Sequence, residues 1–515
     1  MPDDNAAIEA ELLDFEAQER KRLGLDETDN HWRDANPKRF ARVRRDQITV
    51  LFGGLTGLHD ALVEAALAGL GYRAKALPCP DSESLQAGKE FGNRAQCNPT
   101  YFTVGNLLKY ITRLRDEEGM EATDIVNNHV FLTVGGCGPC RFGTYITEYR
   151  KALRDAGFKG LPVFDIRDMG QQKNNPGAAG LELNAKFGIA FFKCILAGDI
   201  INALGYRIRP YERVAGAADK ALEQCKEILC AALEGRRSVM HALYRCRKIL
   251  ARVEVDHQLR KPKVSVIGEF WAMTTEGEGN YRLQRFLEAE GAECETQMIT
   301  TWAAYELWEM QFDTRQRMAL RRSERGKHEK ESDKPLRTLA ILWTIRGPLE
   351  KLFGLWAWIA GLRHFHLPNM EHLAAIAHEY YPVQLRGGEG HMEVGKVIDT
   401  FARKKAHLVI SVKPFGCMPS SGVSDGVQSM VTAKFPEANF CAIETSGDGA
   451  VSVYSRIQMA LFKARARAKE EYEQALSECG GEAAPGRKAT SYAYYPRHVV
   501  AGTAANAVLE AGGNR

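Results

Sequence analysis

Cysteine, glycine and proline recur together at separate places in this chain, and that combination is where chemistry is easiest to read. Val134-Gly135-Gly136-Cys137-Gly138-Pro139-Cys140-Arg141-Phe142-Gly143 is a Cys-Gly-Pro-Cys turn. Phe131 to Val134 is a short apolar, β-branched run, and Tyr145 to Ala156 repeats apolar residues at helical spacing, so the turn falls between the carboxyl end of a strand and a helix. Open α/β sheets place ligands there. A pair of thiols so spaced can share a metal or cluster, or a disulfide, because the turn brings both sulfurs to one side.

Taken alone, the pair also fits a thioredoxin-like redox motif or a structural zinc half-site. No second Cys-x-x-Cys follows, which argues against a closed zinc module built from two such pairs. Cys97, in Asn93-Arg94-Ala95-Gln96-Cys97-Asn98-Pro99, and Cys417, in Lys413-Pro414-Phe415-Gly416-Cys417-Met418-Pro419, lie in similar turn-rich settings just before predicted helices. Exposed backbone N–H groups and the helix dipole favour anionic thiolates there. Cys97, Cys137, Cys140 and Cys417 together are enough to ligate an iron-sulfur cluster. Cys79, between Pro78 and Pro80, reads as structural; Cys194, Cys225, Cys230, Cys246, Cys294 and Cys441 fall in predicted helices and strands and read as core thiols.

The elements that must position these residues follow from periodicity. Residues 1–46 are highly charged with a helical pattern and read as an N-terminal arm. From Gln47 the texture is α/β: Ile48 to Phe52 as a strand, Leu58 to Leu70 as a helix ending at Gly71, and Tyr72 to Leu77 as the next strand, the start of a βαβ unit and so of a parallel sheet. Gly53, Gly54 and Gly57 lack the G-x-G-x-x-G spacing of a dinucleotide fingerprint and read as a tight turn. The first α/β domain spans 47–210 and closes on a long apolar helix from Gly180 to Leu204; 211–258 is a helical linker. A second α/β domain spans 259–475, opening on the strand Lys263 to Glu269 and carrying a helical, aromatic-rich insertion at 299–384. Trp343, Trp356 and Trp358 in that insertion read as core or subunit interface. The Gly/Ala-rich tail at 476–515, with Cys479, reads as mobile or partner-bound. The fold expected is α/β, with two Rossmann-like parallel-sheet domains facing a cleft in which their carboxyl-end loops converge.

Composition narrows the classes of function. The 515 residues suffice for two or three domains, and 45% hydrophobic with 26% charged residues is ordinary for a soluble protein. A formal charge of +4 gives no electrostatic footprint for nucleic acid. No run of 18 or more uninterrupted apolar residues exists, Leu352 to Leu362 being the nearest, and the acidic N-terminus lacks a signal-peptide core. No membrane association and a cytoplasmic location are expected, where twelve cysteines serve as buried thiols and ligands rather than disulfides.

Several stretches together carry a family resemblance: Pro414 to Pro419; Val266-Ile267-Gly268-Glu269-Phe270 followed by Asn280 and Arg285 to Glu293; Cys97-Asn98-Pro99 through Val104 to Leu107; Gly138 to Gly143; and Arg209-Pro210-Tyr211-Glu212. Over about residues 47–475 the chain resembles the 2-hydroxyacyl-CoA dehydratase superfamily, in particular the C-terminal, non-ATPase region of the large CoA-activase-type proteins. The resemblance implies an oxygen-sensitive [4Fe-4S] cluster held between two Rossmann-like domains by three cysteines from three loops; a related branch carries a double-cubane cluster. Carried over by position, Cys97 and Cys417 fit two ligands and Cys140 the third, with Cys137 an additional ligand or a bystander. The partner implied is an actin-like, ATP-dependent activase with its own cluster that delivers low-potential electrons. This chain has no P-loop or phosphate-loop pattern, so that ATPase would be a separate polypeptide. A homodimer or heterodimer is the assembly expected. The insertion at 299–384 and the extra thiol at Cys137 depart from the dehydratases, so no particular substrate carries over.

The function expected is therefore that of an iron-sulfur redox protein serving a reduction or radical dehydration, with Arg141 and Glu269 as further residues of the cleft. The alternatives are a scaffold or binding protein with a structural metal-thiolate site, and a thiol-disulfide oxidoreductase using Cys137 and Cys140 alone.

Overall fold

The computed structural model describes residues 47–136, 140–166, 184–323, 335–385, 388–480 and 495–512, with five isolated positions between 14 and 22. Met1–Lys38 is a unit of its own, in which the described positions are helical and Arg22 pairs with Glu19 at 2.8 Å. All else belongs to Arg39–Arg515.

The first half of that unit runs β1 (Thr49–Phe52), α1 (Gly57–Gly69), β2 (Arg73–Ala76), α2 (Ser82–Phe91), α3 (Asn98–Asp116), α4 (Ala122–Asn128), β3 (His129–Thr133), α5 (Tyr145–Asp155) and β4 (Val163–Asp165). The strands form a parallel sheet in the order β2-β1-β3-β4. Central β1 and β3 are apolar and almost wholly buried, as a strand covered by helices on both faces must be, whereas edge strand β2, Arg-Ala-Lys-Ala, stays partly exposed. Three helices follow: α6 (Ala185–Ile208), α7 (Ala217–Glu234) and α8 (Val239–Leu250).

The second half repeats the plan: β5 (Lys263–Gly268), α9 (Phe270–Thr274), α10 (Leu283–Ala289), β6 (Glu293–Thr296), then helices α11 (Ile299–Ser323), α12 (Pro335–Ala360), α13 (Met370–Ala377) and α14 (Gly390–Ala402), then β7 (Leu408–Pro414), α15 (Gln428–Lys434), β8 (Phe440–Thr445), α16 (Ala450–Glu478) and α17 (Thr503–Gly512). Its sheet, also parallel, has the equivalent order β6-β5-β7-β8. The expected pair of Rossmann-like sheets is thus present. In each, the strand order reverses beside the first strand, between β1 and β3 and between β5 and β7, and a crevice opens at such a point.

The halves are tied together by residues of the resemblance motifs themselves. Arg209 makes a bidentate ion pair with Glu288, at 2.8 Å from both Nε and Nη2, and Tyr211 donates its hydroxyl to Glu293 at 2.8 Å. Arg209 and Glu288 are both largely buried, so this planar, two-bond pair fixes orientation as well as charge.

One expectation needs correction. The tail is not loose over 495–512: Ala504, Ala505, Ala507 and Val508 of α17 are buried, Ala505 and Val508 packing with Ala475 of α16, and Cys479 lies beside Val508. Small residues gave no amphipathic stripe to read, yet they let two helices approach closely. Ala185–Tyr211, broken by Lys186, Lys193 and Asp199, is long and apolar enough to span a bilayer by length and composition: an 18-residue window of it has a mean hydropathy of 1.7, and 56% of that window is buried, Leu196, Ile200 and Leu204 lying in the main core.

Candidate functional site

Each predicted thiol among the described residues stands where a loop turns into a helix. Cys97 is the N-cap of α3 and Cys417 the N-cap of a single turn, Met418–Ser420. Both are followed by x-Pro, so the proline sits in the first turn, where its missing N–H is not needed. Cys140 is the N-cap of a short 3₁₀ turn, Arg141–Thr144, and its Sγ accepts the Phe142 N–H at 3.5 Å. Cys140 and Cys417 follow β3 and β7, the strands at the two reversal points. Cys137 lies outside the described residues.

The loops meet. The backbone N–H of Asn98 donates to Phe415 O at 3.0 Å, and Asn98 Nδ2 donates to Thr445 O at 2.6 Å. Gly416 adopts φ +76°, and a Cβ there would stand 3.1 Å from Gln96 O and 3.3 Å from Cys97 Cα, so glycine satisfies both the left-handed backbone and the close approach. The guanidinium of Arg141, next to Cys140, donates to the carbonyl of Gly416, next to Cys417. Cys97, Cys140 and Cys417, far apart in sequence, are therefore held on three mutually braced loops.

Around them is a wall of hydroxyls and carboxyls. Cys97 Sγ lies 3.2 Å from both Thr100 Oγ1 and Tyr145 Oη, and Cys417 Sγ lies 3.2 Å from Ser420 Oγ. Glu269, at the end of β5, accepts the Ala272 N–H at 2.8 Å and so caps α9. Glu389, buried at the start of α14, accepts the Phe270 N–H at 2.7 Å. Behind them Glu393 accepts from Ser411 Oγ and Gln428 Nε2, each at 2.7 Å. Burial pushes the Cys140 thiol up to about 11, and the carboxylates of Glu269 and Glu389 add to the rise. Burial likewise raises Cys417, again helped by Glu269. Glu269 itself is pushed up to about 7 by desolvation, and Glu389 well above the usual carboxylate range by burial and by Glu269 and Glu393. The site thus stores protons on both sulfur and carboxyl oxygen.

Glu389, Tyr145 and Ser420 escape sequence reasoning. Arg386-Gly387-Gly388-Glu389-Gly390 was the available signal, an acid amid glycines before a helix, but nothing in the sequence connects it to Cys97 and Cys140, more than 200 residues away, or to Cys417 on a later loop. Arg141 braces the loops, and the carboxylate of Glu269 lies close enough to Cys140 to raise its pKa.

The donor set suits an iron-sulfur cluster in kind, with soft sulfurs on separate loops at helix starts. The sulfurs turn toward hydroxyls, and among the described residues no three His, Cys, Asp or Glu side chains are drawn tightly enough to hold one ion. A cubane, whose ligands bind separate irons, asks for wider spacing than a single ion does. A separate cleft of about 40 Å³, lined by Thr56, Asn202, Tyr206, Gln297, Met298 and Phe365, has room for a few waters. No protein-family model matches the chain and no curated protein matches it, so the reading of the site stands on these residues and distances.

Proposed function

We propose that this chain is an iron-sulfur redox protein that receives low-potential electrons from a separate, ATP-dependent, actin-like activase and uses them in a reduction or radical dehydration. The observation that carries the reading is the bracing of the Cys97, Cys140 and Cys417 loops by Arg141, Gly416 and Asn98. A [4Fe-4S] or double-cubane cluster, when bound, would supply one-electron chemistry at low potential. The protein's own contribution is to bind and tune. Cys97, Cys140 and Cys417 would be the ligands, each losing its proton on binding, and the raised pKa values of Cys140 and Cys417 make that uptake favour higher pH. At Cys140 the Phe142 N–H turns toward the sulfur and would help to hold negative charge there. Glu269 and Glu389, kept proton-bearing by burial, can give a proton beside the site as charge arrives. All 11 described cysteines are free thiols, which favours a reducing, cytoplasmic compartment.

Anaerobic purification with iron and acid-labile sulfide analysis, and EPR after reduction, tests this. Wild type is expected to hold iron and sulfide in near-equal amounts. Cys97→Ser, Cys140→Ser and Cys417→Ser should each lose most of it, and Arg141→Met should lose part while circular dichroism stays unchanged. An iron-free protein, a zinc-loaded one, or cysteine variants that keep their iron would overturn the proposal.

A further inference from the structure

Helix α12 has two unlike sides. Inward, Leu342 is buried and Leu349, Phe353, Trp356 and Ala360 lie in the main core. Outward, Leu336 is 71% exposed, Trp343 65% and Trp358 56%, an unusual display for tryptophan. These three belong to a stripe with Ala340, Gly347, Lys351 and Gly354, all exposed, and a Cβ added at Gly347 or Gly354 would meet nothing within 4 Å. At about 100° per residue all seven lie within roughly 40° of one line.

The stripe has a symmetry that a surface for an unrelated partner has no need of. Its members, Leu336, Ala340, Trp343, Gly347, Lys351, Gly354 and Trp358, are spaced identically when read from either end, with Gly347 at the centre. We infer that α12 is the interface of a homodimer, pairing antiparallel with the same helix of a second copy about a two-fold axis at Gly347. An isologous interface must be self-complementary, and this one is. Leu336 meets Trp358 of the second copy, Ala340 meets Gly354, and Gly347 meets itself, so bulky residues cover one another and small ones let the backbones close. Lys351, the one charge in the stripe, falls opposite Trp343, whose ring face suits a cation.

The area is adequate. With a Trp at about 250 Å², Trp343 and Trp358 offer roughly 300 Å², and the remaining stripe brings each copy to roughly 500–600 Å². The pair then buries about 1,000–1,200 Å², at the threshold for a specific dimer.

Analytical ultracentrifugation of the full chain tests the inference, with a dimer of twice 57.4 kDa expected at micromolar concentration. Gly347→Glu, which puts two carboxylates on the axis, should weaken association at least tenfold, and Trp343→Ala should weaken it as well without loss of helicity. Gly347→Cys should cross-link to itself under oxidised glutathione beyond the wild-type background, whereas Lys351→Cys, whose copies stand about 12 Å apart along the helix, should not. A monomer at all concentrations, a dimer indifferent to both Gly347→Glu and Trp343→Ala, cross-linking at Lys351→Cys instead, or binding of this face only to lipid vesicles or another protein would overturn it.

Discussion

Asp60 shows how much a single buried group can weigh. It lies in the first turn of α1, 8% exposed, and desolvation pushes its carboxyl up to about 7 against the help of the Gly54 and Leu55 backbone, with Glu276 and Glu64 adding to the rise. An acid with a raised folded-state value favours the fold while protonated. That stability is whole below the unfolded value of 3.8 and is lost as pH rises to about 7. At 1.36 kcal/mol per unit the loss is on the order of 4 kcal/mol. Asp60→Asn should therefore unfold at higher urea than wild type at pH 8 and match it below pH 4; a gap between them that ignores pH would contradict this. The thiols were legible at the same scale because cysteine beside Gly and Pro is a local signal. Glu389 was not, because its role comes from burial next to Glu269 and Glu393, which no local pattern records.

Among the elements, β5 and β7 carry the most consequence, since Glu269 and Cys417 leave from their ends. Gly268 pairs with Val412, has φ +127°, and a Cβ added to it would stand 2.0 Å from Val412 O. Gly268→Ala must push β7 away at its carboxyl end, and a loss of more than about 3 kcal/mol in chemical denaturation is expected. Gly188→Ala, in α6 with nothing within 4 Å, should be neutral or stabilising by about 1 kcal/mol; equal effects at the two glycines would refute the argument. The strands and most helices were readable from periodicity, their ends within a few residues. Helix α10 starts only at Leu283, because Tyr281 and Arg282 take left-handed backbone first. Helix α2 was missed because its opening signal, the Asp81 and Ser84 capping box, precedes a short segment with only Leu85 as a deeply buried aliphatic anchor.

On the scale of the molecule, the C-terminal segment closes the second sheet. Buried Glu293 on β6 accepts from Tyr211 at 2.8 Å, from Thr503 at 2.6 Å and from Tyr495, while Glu471 on α16 accepts the Gly502 N–H at 2.6 Å and the Ala501 N–H at 3.1 Å. Truncation after Gly480 strips Glu293 of two donors and uncovers Lys263. It should cost roughly 3–5 kcal/mol in urea denaturation, and an unchanged midpoint would show the segment to be dispensable. Which loops would meet across the halves was an expectation from topology; the bracing between them depends on three-dimensional packing that no window of sequence contains. That bracing also sets a clock. Ribosomes add about 5–20 residues per second, so the chain between Cys140 and Cys417 takes on the order of 15–55 s to synthesise. Through that interval the nascent polypeptide carries Cys97 and Cys140 with Cys417 still unmade, and an oxidant or stray metal in the cell can reach those two before the third thiol of the candidate site exists.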